Sequence, residues 1–581
     1  MPLSHQFHVR LLLVAPQDCL FRLPNWIRGS YLVCDFAKHV SGLKASRDGA
    51  ALALERLDKA SFRVLAAAGP LQIEYAVHAG DESVRKAFLD SRRGFFNFSS
   101  LVYCPAGFEK AAFEVLIERP TLAACASWQI ATALPALAAD EAGFGRYRAS
   151  DYETLIDSPV EMAAFQRIDF EAGGVAHTLT LSGRCQPDQA RLARDIAQIC
   201  SVQRAFFDHQ PTMPRYWFLT HVSASGYGGL EHRESTALVC SRNDLPQPGA
   251  SGMSKEYRTF LGLVSHEYFH LWNVKRITAK AFADSDLAEA AYSRDLWHYE
   301  GVTSYYDDLL LLRAGLIDTP TYLDLLSEGA TRLERTPARH VHSLADASFE
   351  AWIKYYQPDE NSPNASTNYY VKGALTALCL DLLLRRDSTS SLDAVMRTLW
   401  QRFGASDTPA PEGVLEAVAA ELSGLDLKPF FDAALRGTGE LPLAETLADF
   451  GVLAQRRVAV SDTDNGGRSV GTSQVCTLGC KLKKDGSVAH VLTGSPAQQV
   501  GLAAGDVLVA LDGFNVSAGN FARRLNALVP GVPVELFWFR ADELMRAHIT
   551  PQGAPADTWT LTLMDNLSPE VAARRKAWLI V

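Results

Sequence analysis

The chain is 581 residues long, too long for a single hydrophobic core, and its length predicts about three or four domains. Its 48% hydrophobic and 21% charged residues are those of a folded protein, and a net charge of −10 argues against nucleic acid or an anionic membrane surface as partner. No apolar run reaches the roughly 18 residues needed to span a bilayer, and Met1 to Pro24 lacks a basic stretch followed by an apolar core. A cytoplasmic location is therefore expected. The ten cysteines are scattered from Cys19 to Cys480 without C-x-x-C pairs and read as reduced core thiols. Cys476 and Cys480 lack a partner pair and are not taken as metal ligands.

Residues 1–170 read as β: Phe7 to Val14, Ala51 to Leu57, Ser61 to Ala66, Leu71 to Val77 and Phe113 to Ile117 are short β-prone runs punctuated by Gly, Pro, Asp and Asn, which suits an antiparallel sandwich. Trp26-Ile27-Arg28-Gly29-Ser30-Tyr31 and Arg92-Arg93-Gly94-Phe95-Phe96 stand out, with packing and substrate-flanking roles equally open. Pro187 to Phe207 carries a helical pattern, and Tyr216 to Val222 and Ser235 to Ser241 read as strands. Between those strands lies Gly226-Tyr227-Gly228-Gly229-Leu230-Glu231-His232. Gly228 and Gly229 would let a substrate backbone approach closely, and Glu231 could capture an α-ammonium group; a hairpin turn with a solvated Glu231 is the alternative.

Leu261 to Arg276 contains H-E-x-x-H as His266-Glu267-Tyr268-Phe269-His270. Histidines four apart on a helix share one face, so their imidazoles can reach one metal. Imidazole suits zinc, and Glu267 can take a proton from a metal-activated water. Phe260, Val264, Leu271 and Val274 supply the apolar stripe of that helix. A catalytic zinc takes three protein ligands, and two acidic candidates follow: Glu289, with 18 intervening residues after His270, and Glu300, with 29. Further on, Asn368 to Leu375 opens an apolar helix in which a tyrosine could donate to an oxyanion or pack with its hydroxyl in solvent. Ser391 to Phe403, Pro411 to Leu422 and Leu427 to Leu435 read as amphipathic helices, and Asp462 to Gly471 as a linker. Alternating strands and turns then describe a small β-rich domain reaching about Leu563. The tail from Ser568 to Val581 reads as a short helix or loose end.

The segments G-G-L-E-H, H-E-Y-F-H-L-W-N-V-K-R, Y-E-G-V-T-S-Y-Y and Y-Y-V-K-G-A-L, in this order, resemble the glycyl aminopeptidase family of zinc metallopeptidases. The terminal G-S-P-A…G-L-x-x-G-D resembles a PDZ domain. The resemblance covers nearly the whole chain. It implies a multidomain α+β protein: an N-terminal β-sandwich at 1–170, a thermolysin-like catalytic domain at 171–390, a helical subdomain at 391–460, a PDZ domain at 472–565 and a tail at 566–581. It also implies one zinc per chain, held by His266, His270 and Glu300 rather than Glu289, with Glu267 as general base, Tyr370 at the oxyanion and Glu231 on the substrate amine. His232 departs from the related G-x-M-E-N pattern, which ends in asparagine.

The implied activity is hydrolysis of the N-terminal peptide bond of peptides with a free amine, with a preference for Gly and Ala. A peptide C-terminus could bind the PDZ groove near Leu478, Gly479, Cys480 and Leu482. The competing readings are a zinc endopeptidase with PDZ-guided recruitment and a PDZ adaptor carrying an inactive protease.

Overall fold

The computed structural model describes residues 1–207 and 211–580; Val581, at the end of the expected tail, lies outside the described residues. The chain divides into two compact units, one of Met1–Tyr292 with Leu399–Pro411 and one of Ser293–Thr398 with Glu412–Val581.

The first unit opens with a seven-stranded antiparallel sheet in which Gln6–Ala15 pairs with Gly69–His78 and that strand with Val40–Arg47. Leu71, Ile73, Tyr75 and Val77 alternate inward along Gly69–His78, so one face of the sheet is core. Val40–Arg47, absent from the sequence reading, is half-buried or exposed except at Ala45 and lacks the apolar alternation that marks its neighbours. The Arg92–Phe96 motif is structural: the Arg93 guanidinium donates two bonds of 2.8 Å to Glu161, and Gly94, Phe95 and Phe96 are buried in the strand Arg93–Phe96.

A five-stranded mixed sheet follows, in the order Gln166–Ala172, Val175–Ser182, Arg215–Ser223, Ser235–Ser241 and Gly228–Glu231. It starts four residues before the expected boundary at 170, because Gln166–Ala172 and Val175–Ser182 form one hairpin through Gly173 and Gly174. Gly228–Glu231 runs antiparallel along the outer edge. The helices Gln189–Phe206 and Lys255–Phe269 pack against each other, and the first also contacts the sheet. Ser254 caps the second by accepting from Tyr257 N.

The second unit is helical, with Thr303–Arg313, Thr319–Glu334 and Tyr369–Asp387 at its centre. Three expectations are corrected here. The region 391–460 is not wholly helical, since Val452–Arg457 is a strand paired with Thr558–Leu563. Those two strands bracket the small C-terminal β region, and Thr558–Leu563, expected inside it, packs instead on Thr319–Glu334 through Trp559 N to Thr331 Oγ1 and Leu561 N to Ser327 Oγ. The stretch expected as a linker is tied down at both ends: Arg457 pairs with Asp464, and Arg468 with Asp324. Between the bracketing strands, Leu478, Val488, Leu508, Leu536, Trp538 and Ile549 form a separate core.

The tail is a helix, Pro569–Leu579, whose Trp578 is buried and donates its indole N–H to the Tyr305 hydroxyl. All ten cysteines are unpaired. Among the described residues no helix is long and apolar enough to cross a membrane.

Candidate active site

Within the first unit, the helix Lys255–Phe269 presents His266 and His270 with ring centroids 4.6 Å apart. His270 closes the helix, and its Nδ1–H donates to the Asn273 carbonyl at 2.9 Å, which leaves Nε2 as the lone-pair nitrogen. The chain then turns through Val274, whose φ of +111° is unusual for a β-branched residue. That turn presents the Asn273 carbonyl to the imidazole.

Glu267 is 5% exposed, and the backbone of Gly229 lies against it: a Cβ on Gly229 would stand 2.2 Å from a carboxylate oxygen. A side chain at that position would displace Glu267 itself. Glu231 ends the edge strand and is 3% exposed. Glu231, Glu267 and His270 each bring a ligand-type atom within 4.8 Å of the others. The edge strand and the helix thus gather two buried carboxylates and an imidazole in one place. The ring of His232 is buried and turned towards Asp157 at 3.3 Å, so this side chain packs into the framework behind Glu231. Glu289 is exposed and lines a cavity of 1130 Å³ in this unit, together with Trp26, Gly29 and Asp157.

In the second unit Glu300 lies on a π-helical turn, Trp297–Val302, and is 2% exposed. Gly301 meets Gly373 backbone to backbone: a Cβ on Gly301 would be 2.6 Å from the Gly373 Cα, and one on Gly373 2.9 Å from the Gly301 Cα. Asn368 caps the helix Tyr369–Asp387 by accepting from the backbone of Tyr370 and Val371. The Tyr370 hydroxyl lies 3.0 Å from that of Tyr356. Burial, aided by the carboxylate of Glu300, pushes its pKa well above the usual phenol value, so the hydroxyl keeps its proton and can donate it in a hydrogen bond. Of the C-terminal positions, Leu478 is buried, Gly479 takes φ +70° beside Ser495, and the strand Cys480–Leu482 pairs with Val488–Val491.

Gly29, Asn273, Tyr356 and the Gly301–Gly373 contact were not found from the sequence. For Gly301 and Gly373 a signal existed, since each directly follows a polar motif residue; for the others nothing local marks the contact.

Residues 1–164 match the Peptidase M61 N-terminal domain, and residues 259–376 match M61 glycyl aminopeptidase. An aminopeptidase N family protein from Idiomarina loihiensis has 37% identity and a TM-score of 0.95, over 99% of this chain and 98% of that one. Two further structures match at low identity. An M1 zinc metallopeptidase from Deinococcus radiodurans gives 13% and a TM-score of 0.44 over 76% of this chain and 93% of its own. Yeast LTA4 hydrolase in complex with Bestatin gives 14% and 0.46 over 75% and 65%. None of the curated proteins matches. The chain belongs to the M61 glycyl aminopeptidase family, and it is a peptidase.

Proposed function

We propose that the chain is a zinc-dependent aminopeptidase that hydrolyses the N-terminal peptide bond of peptides, favouring small first residues such as Gly and Ala. The observation that carries this reading is the meeting of Glu231, Glu267 and His270 within 4.8 Å. It sets a carboxylate suited to an ammonium beside a carboxylate suited to general-base work. The donor set fits zinc: two imidazoles four residues apart, one of them held in its tautomer by the Asn273 carbonyl, and the carboxylate of Glu300. Bound zinc would supply Lewis acidity, lowering the pKa of a water and polarising the scissile carbonyl.

The chain's own residues do the rest. Glu267 takes the proton of the attacking water and passes it to the leaving amine. The Tyr370 hydroxyl donates a hydrogen bond to the oxyanion. Glu231 holds the substrate ammonium, fixing which bond is cut; Gly228, with open space beside it, gives the substrate backbone room along the edge strand, while the missing side chain of Gly229 makes room for Glu267. For the C-terminal region we propose a PDZ-like role, in which a peptide C-terminus adds along Cys480–Leu482, next to Leu478 and Gly479.

Peptides with a free N-terminal Gly or Ala should be cleaved and their N-acetylated forms should not; efficient cleavage of the acetylated forms would leave a zinc endopeptidase in place of this reading. Metal content tests the ligands: Glu300→Ala should lose zinc while Glu289→Ala keeps it.

A further inference from the structure

The segment Trp26–Tyr31 takes no part in the chemistry above, yet it is fixed with unusual thoroughness. Asn25 donates its backbone N–H to the Leu287 carbonyl at 2.8 Å and its side-chain amide to Ala288 at 2.7 Å. The Trp26 indole N–H donates to the Glu289 carbonyl at 2.8 Å, and Arg28 reaches Glu153 at 2.7 Å and the Ser285 carbonyl at 3.1 Å. The rings of Trp26 and Tyr31 both pack on Phe282. These ties converge on Gly29, which sits at φ +93° with its Cα against the Glu231 carboxylate. A Cβ there would lie 2.4 Å from Oε1, 2.6 Å from Cδ and 2.7 Å from Oε2 of Glu231. Glycine meets two demands at once, a left-handed backbone and the absence of a side chain where a buried carboxylate stands.

We infer that Gly29 is a positioning residue for Glu231, and that Trp26–Tyr31 is the wall behind the amine site. The inference rests on the aminopeptidase reading of Glu231. A glutamate side chain has three free torsions, and a carboxylate meant to meet one ammonium needs most of its rotamers removed. A segment held by one backbone bond to Leu287 and by side-chain bonds to Ala288, Glu289 and Ser285 resists moving away from the carboxylate, and its main chain at Gly29 removes those rotamers. The substrate class that fits is a peptide ending in an unsubstituted ammonium.

A double-mutant cycle tests this, with Gly29→Ala and Glu231→Ala assayed separately and together on alanyl-7-amido-4-methylcoumarin, alongside zinc content and Tm. Gly29→Ala should lower kcat/KM by about 10²-fold, the scale expected when a binding group moves by about 1 Å, chiefly through KM and with zinc retained. In the Glu231→Ala background the same substitution should cost less than about 3-fold, because no carboxylate remains to displace. An equal loss in both backgrounds would make Gly29 a merely strained turn and overturn the inference while leaving Glu231 its role. If Glu231→Ala alone leaves kcat/KM unchanged, the aminopeptidase reading falls first and this inference with it. Should Gly29→Ala not fold, Trp26→Phe, which cuts the tie to Glu289, enters the same cycle. A KM rise of several fold only where Glu231 is present supports the inference; no change, or the same change without Glu231, sinks it.

Discussion

Next to Glu231 the protein buries its charges in partnership, whereas next to Tyr370 it buries an ammonium that, among the described residues, has no hydrogen-bond acceptor and only the more distant charge of Glu440 to oppose its burial. Asp157 accepts from Lys275 Nζ at 2.6 Å, from the backbone of Arg233 at 2.8 Å and lies 3.3 Å from His232 Nδ1. Burial works to raise its pKa, but Lys275 and His232 outweigh burial and hold the carboxyl well below its ordinary range. Lys372, two residues after Tyr370, is 1% exposed, and its Nζ has no hydrogen-bond partner among the described residues. Burial lowers its pKa to about 8, with Arg339 adding to the effect and Glu440 opposing it. The first arrangement fixes the chain that follows Glu231. The second carries a desolvation cost that Glu440 offsets only in part, inside the helix that presents Tyr370. Two neighbourhoods of proposed site residues are therefore held in opposite ways, one by electrostatic pairing and one against an electrostatic penalty.

The comparison breaks most easily at Lys275. Lys275→Met should destabilise the protein by about 3–5 kcal/mol, because Asp157 would stay buried without its ammonium. A denaturation midpoint shifted by less than about 1 kcal/mol would mean that Asp157 is hydrated after all. Tyr370→Phe should keep the fold and lower kcat by about 10²–10³, or roughly 3–4 kcal/mol, as expected for one lost oxyanion donor. Undiminished turnover would make Tyr370 a packing residue.

Lys372→Met should act in the opposite sense to Lys275→Met and stabilise the protein at neutral pH by about 1–3 kcal/mol. The sign follows from linkage. Folding lowers this pKa from 10.5 to about 8, so the unfolded chain binds more protons between those values and stability rises with pH through that window. Melting curves of wild type and variant should converge as the pH approaches 10.5, and parallel profiles would show that the ammonium is solvated.

The smallest effect is expected at Asp464, whose pKa is held at about 2, chiefly by Arg457. Its stabilising contribution is present above the unfolded carboxylate range and lost as the pH falls towards 2, so Asp464→Asn should cost about 1 kcal/mol at neutral pH and much less in acid.

Much of this was legible in the sequence, and the exceptions share a cause. The helix of His266 and His270 announces itself through its local period, whereas Gly228–Glu231, legible only as a glycine-rich segment or a hairpin turn, is a strand whose Glu231 is buried. The contact of Gly29 with Glu231 joins residues about 200 positions apart through a side chain that does not exist, so no local pattern encodes it. Asp462 to Gly471 has the composition of a flexible connection, and composition says nothing of Arg457 and Asp324, which pin it. The strand Val40–Arg47 escaped because its pairing partners, not the pattern of its own largely half-buried residues, determine its conformation.

The meeting of Gly301 and Gly373 bears on how this protein can change by mutation. A clash between two side chains can be relieved by shortening either one, which leaves a route through a compensated double variant. Here each added methyl would strike the other residue's main chain at 2.6–2.9 Å, and main chain cannot be shortened. No second substitution at the facing position repairs the first. The two codons are therefore a dead end for stepwise improvement, and functional clones selected from a library randomised at both positions should return glycine at each.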